Sequence, residues 1–145
     1  MLLLLLAGCA APPPNTPQPK PDPTTQAAYT DAVAQLTALD LEAAGLLQRG
    51  RPEDAAAAIT SGQPLQARLL AAPHPTLAAM QAVSDLDDLY ARMLLSDHHD
   101  GWARMLYEKN RARWKSWTPQ TPDTLRRLRQ AQSGMADCDR RINRK

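Results

Sequence analysis

The stretch Thr76–Ser96, "TLAAMQAVSDLDDLYARMLLS", decides the fold. Leu77, Met80, Val83, Leu86, Tyr90, Met93 and Leu94 recur in it at three- and four-residue spacing, the period of one face of an α-helix. Asp88 and Arg92 stand four apart, and we expect them to pair on the outside of that helix. No stretch of the chain shows the alternation of a half-buried strand, and β-branched residues do not gather in runs. Composition points the same way. Hydrophobic residues make up 43% of the 145-residue chain, yet aromatics only 4% and Phe is absent. The core must therefore be built of Leu, Ala and Met, and Ala and Leu head the helix propensity scale.

Working outward, Gly and Pro punctuate further helices. A fourth is expected from about Asp100 to Ser116, and a last one with Thr121 as N-cap and Pro122 in its first position. The apolar face of that last helix reads Leu125, Leu128, Ala131, Met135, Cys138, Ile142. Towards the N-terminus, Thr25 to Gln48 carries Val33, Leu36, Leu39, Ala43, Leu46 and Leu47 at helical spacing, ended by Gly50. Pro52 opens a second helix, with Glu53 and Asp54 favoured near its positive end. Pro64 is expected to restart a short helix that stops before "APHP". Short connections make neighbouring helices antiparallel. The expected fold is thus all-α: an antiparallel helical hairpin stack of about five helices over residues 24–145, one domain with a single core.

Charge is uneven. Residues 1–100 carry a net −6 and residues 101–145 a net +8, which leaves +2 for the whole chain. A basic C-terminal third favours an anionic polymer or a membrane surface. The competing reading is a solvated helix face balanced by the acidic part of the same domain.

The N-terminus reads "MLLLLLAGCA" followed by "APPPNTPQPKPDP". Leu6-Ala7-Gly8-Cys9 resembles the lipobox of bacterial lipoproteins: an aliphatic residue, a small residue, Gly or Ala, then Cys. The resemblance implies that residues 1–8 are the remnant of a signal peptide and that the Cys9 thiol takes a diacylglycerol. More than one acyl chain gives lasting attachment to a membrane. The apolar run is far shorter than the roughly 20 residues of a spanning helix. It also lacks a positive n-region, so the natural start is expected upstream of Met1. Ala10, by the same resemblance, implies sorting to the outer membrane, with the domain facing the periplasm. Between Ala11 and Pro23 lie seven of the 13 prolines. Such a segment prefers extended polyproline II and reaches roughly 40 Å, a spacer between lipid and domain; a proline-rich recognition ligand is the rival reading.

Two stretches resemble tetratricopeptide (TPR) units, "LEAAGLLQRGRPEDAAAAI" and "LYARMLLSDHHDGWARMLYEKN". In the first, Gly50 sits in the turn, Ala55 is the small residue of the second helix and Ile59 the bulky one. In the second, Ala103 and Tyr107 play those parts. The two lie farther apart than the 34 residues of a tandem array. The resemblance implies a helix face that binds an extended peptide or a partner helix.

The segment Ser96–Trp117 is densest in unusual residues. His98 and His99 are adjacent, whereas ligands on helices sit three or four apart, so we expect a turn capped by Asp100 and no metal. Trp102, Trp114 and Trp117 are interleaved with Arg104, Lys109, Arg111, Arg113 and Lys115, a mixture that serves anionic ligands. Ala103, Tyr107, Asn110, Trp114 and Trp117 fall on one stripe, so Trp114 and Trp117 are expected to pack inside or line a groove. If this surface binds a partner, the residues to examine are Trp102, Tyr107, Arg111, Trp114 and Trp117. Cys138 lies on an apolar stripe and is expected to be buried, because a lone thiol in an oxidising compartment must be hidden or paired. No triad, phosphate loop or cofactor motif stands out. The sequence therefore leads us to expect not an enzyme but a lipid-anchored periplasmic adaptor, without cofactor, nucleic acid or evident small-molecule substrate. The alternative is a binder of anionic polymer or membrane through the C-terminal third.

Overall fold

The computed structural model describes residues 21–144. Cys9 and most of the Pro-rich segment lie outside the described residues, as does Lys145. A 3-10 turn, Pro23–Thr25, leads into five helices: α1 (Ala27–Gln48), α2 (Pro52–Leu70), α3 (Leu77–Ser96), α4 (Asp100–Ser116) and α5 (Pro122–Ile142). There is no strand among the described residues, so the all-α expectation holds. No described helix is long and apolar enough to cross a membrane.

Local chemistry sets the helix ends. After α1 the chain turns at Gly50, whose φ of 70° suits a residue without Cβ. The Arg51 N–H then reaches Leu46 O and the Gly50 N–H reaches Leu47 O, both at 3.0 Å. That pair of bonds satisfies the carbonyls a helix end leaves open. Thr76 Oγ1 accepts from the Ala79 N–H at 3.2 Å and starts α3. At α5 the Thr121 hydroxyl accepts from the Thr124 N–H, and the Thr124 hydroxyl accepts from the Thr121 N–H. This reciprocal box follows from Thr-Pro-Asp-Thr, with Pro122 first in the helix. At α4 the N-cap is His99, and Asp100 is the first helical residue rather than the expected cap. His98 takes a left-handed φ of 61° to make that turn.

One expected boundary is overturned. Pro64 does not restart a helix; it lies inside α2, which runs unbroken for 19 residues. A proline there forfeits one backbone bond and costs about 3 kcal/mol. Packing offsets this cost. Ala55, Ile59, Gly62 and Leu69 fall on one face, before and after the proline, and all are buried. Gly62 is the point of closest approach. A Cβ there would lie 2.8 Å from Leu86 Cδ2 and 3.0 Å from Leu36 Cδ1, so a larger residue would have to push both leucine side chains aside where α1, α2 and α3 meet. Farther on, the Tyr29 hydroxyl donates to Leu69 O at 3.4 Å and accepts from the Thr76 N–H at 3.3 Å, tying the far end of α2 to α1 and α3.

Each helix runs against the one before it. Leu36 meets Gly62, Ser84 meets Trp114, Tyr107 meets Gly134 and Arg104 meets Asp139. Helices α1, α3 and α5 are therefore parallel, with α2 and α4 opposed to them. Helix α3 is the seam. It packs on α1, α2 and α4, and it belongs to both apolar clusters, one spanning α1–α3 and one spanning α3–α5. Ten of its 20 residues are buried, far more than one stripe. Asp88 is among them, which corrects the expectation that it lies on the outside. Its pair with Arg92 does form, at 3.1 Å. The last helix also departs from expectation at its ends. Thr124, Ala131 and Cys138 are buried, while Leu125 and Ile142 are exposed. Helix α5 closes the stack, and no described element covers its outer side. Cys138 is fully buried, as its stripe implied.

Candidate functional site

Helix α4 holds the residues from which both candidate sites are built. Its inner face is Ala103, Tyr107, Asn110 and Trp114, all buried. Trp114 has no exposed surface, and its Nε1–H donates to Ser84 Oγ at 2.7 Å. The next turn of the same contact is polar too. Asn110 Nδ2 donates to Ser84 O at 3.0 Å, and Arg113 bonds to both Asn110 Oδ1 and Asp87. Gln66 of α2 gives Asp87 its second partner at 3.0 Å. A fully partnered polar network of this kind fixes the relative position of its helices.

From α5, the Arg127 guanidinium lies 5.4 Å from the centre of the Trp114 ring, and Trp117 meets that ring edge-on with centroids 6.4 Å apart. Arg127 also binds Asp123, at 2.8 Å, and Asp85 of α3. Burial works against its charge, yet these two carboxylates hold it protonated above its ordinary range. Hydrogen bonds from Arg126 and Arg127 pull Asp123 down to about 2. Trp114, Arg127 and their partners thus have structural work to do.

Two clefts flank α4. The first lies between α3 and α4 and holds about 440 Å³. Tyr90 and Leu94 form one wall, Trp102, Met105 and Leu106 the other, with His99 and Lys109 at the rim. Trp102 is 64% exposed and Met105 is also open to solvent. Their three-residue spacing on α4 puts both on the face opposite Tyr107. The second cleft lies between α3 and α5 and holds about 470 Å³. Tyr107 of α4 is among its lining residues, with Asp88 and Arg92 on one side and Gln130, Gly134 and Asp137 on the other. Burial raises the Asp88 carboxyl above its usual range, and burial raises Tyr107 to about 12, with Asp88 adding to it.

The five residues singled out in the sequence do not share one surface. Trp102 lines the apolar cleft and Tyr107 the polar one, on opposite sides of α4. Arg111 is half-buried, 3.9 Å from Glu108. Trp114 and Trp117 pack against one another, and Trp114 has no surface to offer. Sequence reasoning did not single out Asp88, Tyr90, Met105 or Gly134 as site residues, although it placed Asp88 and Tyr90 on the third long helix. The signal for Gly134 was an isolated glycine inside a helical pattern, which marks a close approach. Among the described residues no cluster of three or more His, Cys, Asp or Glu could hold a metal.

Most of the positive charge of the C-terminal third is locally balanced. Arg104, Arg111, Arg113, Arg126, Arg127, Arg140 and Arg141 each pair with a carboxylate. Lys109, Lys115, Arg129 and Arg144 make no ion pair among the described residues. No protein-family model, curated protein or solved structure matches the chain.

Proposed function

We propose that the chain is a lipid-anchored interaction module on the periplasmic face of the bacterial outer membrane, an adaptor that holds a partner of an envelope assembly. The observation that carries the reading is the open apolar cleft around Trp102. The chain has only six aromatic residues among Trp and Tyr, and one of its three tryptophans stands 64% exposed beside Met105, Tyr90 and Leu94. Apolar surface grouped with a polar rim is the mark of a contact site. The parallel course of α1, α3 and α5 supports the TPR-like reading, and the lipobox with its Pro-rich spacer supports the address.

The occupant we assign is an amphipathic helix of a partner protein. Its apolar side chains fill the space between Tyr90 and Trp102, and an acidic flank meets Lys109, a rim cation with no ion pair among the described residues. The local balancing of seven arginines weighs against the alternative, an anionic polymer bound by the whole basic third.

The reading is tested in two parts. Mass spectrometry of the native protein is expected to show acylated Cys9 as the N-terminus; a bare thiol with the preceding leucines attached overturns the address. A photo-crosslinking side chain at Met105 is expected to capture one envelope protein, and Trp102→Asp is expected to abolish the adduct. An adduct unchanged by Trp102→Asp, or equally strong from Glu53 on α2, overturns the site.

A further inference from the structure

We propose that a second copy of the chain docks head to tail on the first, the outer face of its α5 against the outer face of α1. This goes beyond the adaptor reading: the contact joins the two ends of the stack and leaves the Trp102 cleft untouched.

Both faces lack a partner among the described elements. Helix α1 packs on α2 and α3, and α5 packs mainly on α4. On α1 the buried Tyr29, Ala32, Leu36, Ala43 and Leu46 mark the inner side. With 3.6 residues per turn, Asp31, Ala34, Ala38, Leu41 and Glu42 fall on the other side, and all are exposed. Leu41 is 68% exposed, the most of any large hydrophobic residue described. On α5 the buried Thr124, Ala131 and Cys138 mark the inner side. The outer side there is Arg126, Arg129, Ser133, Ala136 and Arg140, all exposed.

Charge selects the occupant. Helix α1 contains Asp31, Asp40 and Glu42 and no Lys or Arg. The outer face of α5 presents three arginines and no acid. Asp31, Glu42 and Arg129 make no ion pair among the described residues. Arg140 does pair, with Asp137 at 3.4 Å, but its side chain is 58% exposed. Arg141 also holds Asp137, at 3.2 Å, so Arg140 can turn to a new partner without stranding that carboxylate. Two α1 faces would set acid against acid, and two α5 faces arginine against arginine. The contact that charge favours is therefore the heterologous one, α5 on α1.

Spacing matches as well. Asp31 and Glu42 lie eleven residues apart, and so do Arg129 and Arg140. Eleven residues make about three turns, roughly 16 Å, so side-by-side helices bring both acids to both arginines at once. Between these charges stand Ala34 and Ala38 on one helix and Ser133 and Ala136 on the other, short enough for close approach, and Leu41 leaves water. Because the two faces differ, each copy keeps one of them free, and further copies add in a row.

The test uses the full chain in its native envelope, with a photo-crosslinking side chain at Leu41. Irradiation is expected to join two copies, and mass spectrometry to place the link between position 41 and a peptide within Pro122–Ile142. Glu42→Arg and Arg129→Glu are each expected to lower the adduct about 3- to 10-fold, as an exposed charge pair turns repulsive. Both residues are exposed, so neither change disturbs the core. The double variant Glu42→Arg with Arg129→Glu is expected to restore the adduct, because the exchanged charges meet again across the contact. The proposal is overturned by no adduct between copies, by a link from position 41 to α1 of the second copy, by single variants that crosslink as strongly as the parent, or by a double variant that stays as weak as the singles. The adduct from Met105 reads the Trp102 cleft separately, so either result can fail without the other.

Discussion

Replacing Gly134 by Ala tests how closely α4 and α5 approach. A Cβ at 134 would stand 2.6 Å from Cδ1, Cε1 and Cζ of Tyr107. Carbon atoms in contact sit about 3.5–4.0 Å apart, so the overlap is about 1 Å against three ring atoms at once. The ring has little room to retreat, because it is buried in one cluster with Ala91, Leu95, Ala103 and Cys138. Overpacking of this kind costs about 1–3 kcal/mol, and the triple contact argues for the upper end. Alanine in a helix interior returns about 1 kcal/mol over glycine. The net expectation for Gly134→Ala is a loss of about 2 kcal/mol, read as a lower urea midpoint by circular dichroism. The decisive comparison is the same change in a Tyr107→Ala background. With the ring gone, the new methyl enters empty space and the propensity gain remains, so Gly134→Ala should then stabilise by about 1 kcal/mol. The sign reverses, with a coupling near 3 kcal/mol in the double-mutant cycle. Equal effects in both backgrounds, or a gain in the parent, would refute the close approach.

Trp114→Phe is expected to cost about 2–4 kcal/mol, because it leaves the Ser84 hydroxyl without its donor and weakens the stacking of Arg127; a chemical-denaturation shift under about 1 kcal/mol would contradict the polar network. Native Cys138 should react with a disulfide reagent only as fast as the helices open, since burial hides the sulfur and raises its pKa; a rapid full-amplitude phase would rule that out. Asp123 has its folded pKa lowered to about 2 against 3.8 for the ordinary group. It therefore stabilises the fold above about pH 4, and that contribution fades as pH falls towards 2. Its side chain is 41% exposed, so the effect is worth under about 1 kcal/mol after screening; Asp123→Asn should lower the urea midpoint near neutrality and match the parent at about pH 2. Affinity for the partner at the Trp102 cleft should change little between about 0.1 and 1 M salt, although the screening length falls from about 10 to 3 Å; a steep fall would favour the anionic-surface reading.

The sequence made the helix ends legible because they are chemical events within a few residues. Gly50, Pro52, Thr76 and the Thr121-Pro122 pair each act on neighbouring backbone, and local chemistry is what a sequence displays. It was less informative where a distant element decides. Pro64 reads as a break because the cost of a proline is local, whereas its compensation comes from Leu36, Leu39 and Leu86 on two other helices. Asp88 reads as exposed because α3 shows one apolar stripe, and nothing in that stripe says that α5 lies over its polar side. Trp114 is buried as its stripe implied, whereas Trp117 stands just beyond the end of α4, half-buried and edge-on to Trp114. The site around Trp102 was half visible: the tryptophan drew notice, but the Tyr90 and Leu94 that make it a cleft belong to a helix whose stripe seemed fully employed in the core.

The two halves of the stack solve the same problem with different materials. Around α1–α3 the space is filled by Leu36, Leu69, Val83 and Leu86, with a glycine at the tightest point. Between α3 and α5 the apolar filling is smaller, with Ala91 and Leu95 meeting Cys138 in one cluster. The inward positions of α5 are Arg127, Ala131, Gly134 and Cys138, and its hold on α3 runs through Asp85, Gln81 and the carbonyl of Leu95. Ion pairs and hydrogen bonds act at fixed lengths, so they set a spacing that apolar side chains would have closed. For the cleft over Tyr107 to collapse, α5 would have to move inward, and the 2.6 Å limit at Gly134 shows that the tyrosine ring already blocks it. The opening is thus a consequence of how the last helix is attached at its two ends and of the Tyr107 ring that meets Gly134 between them.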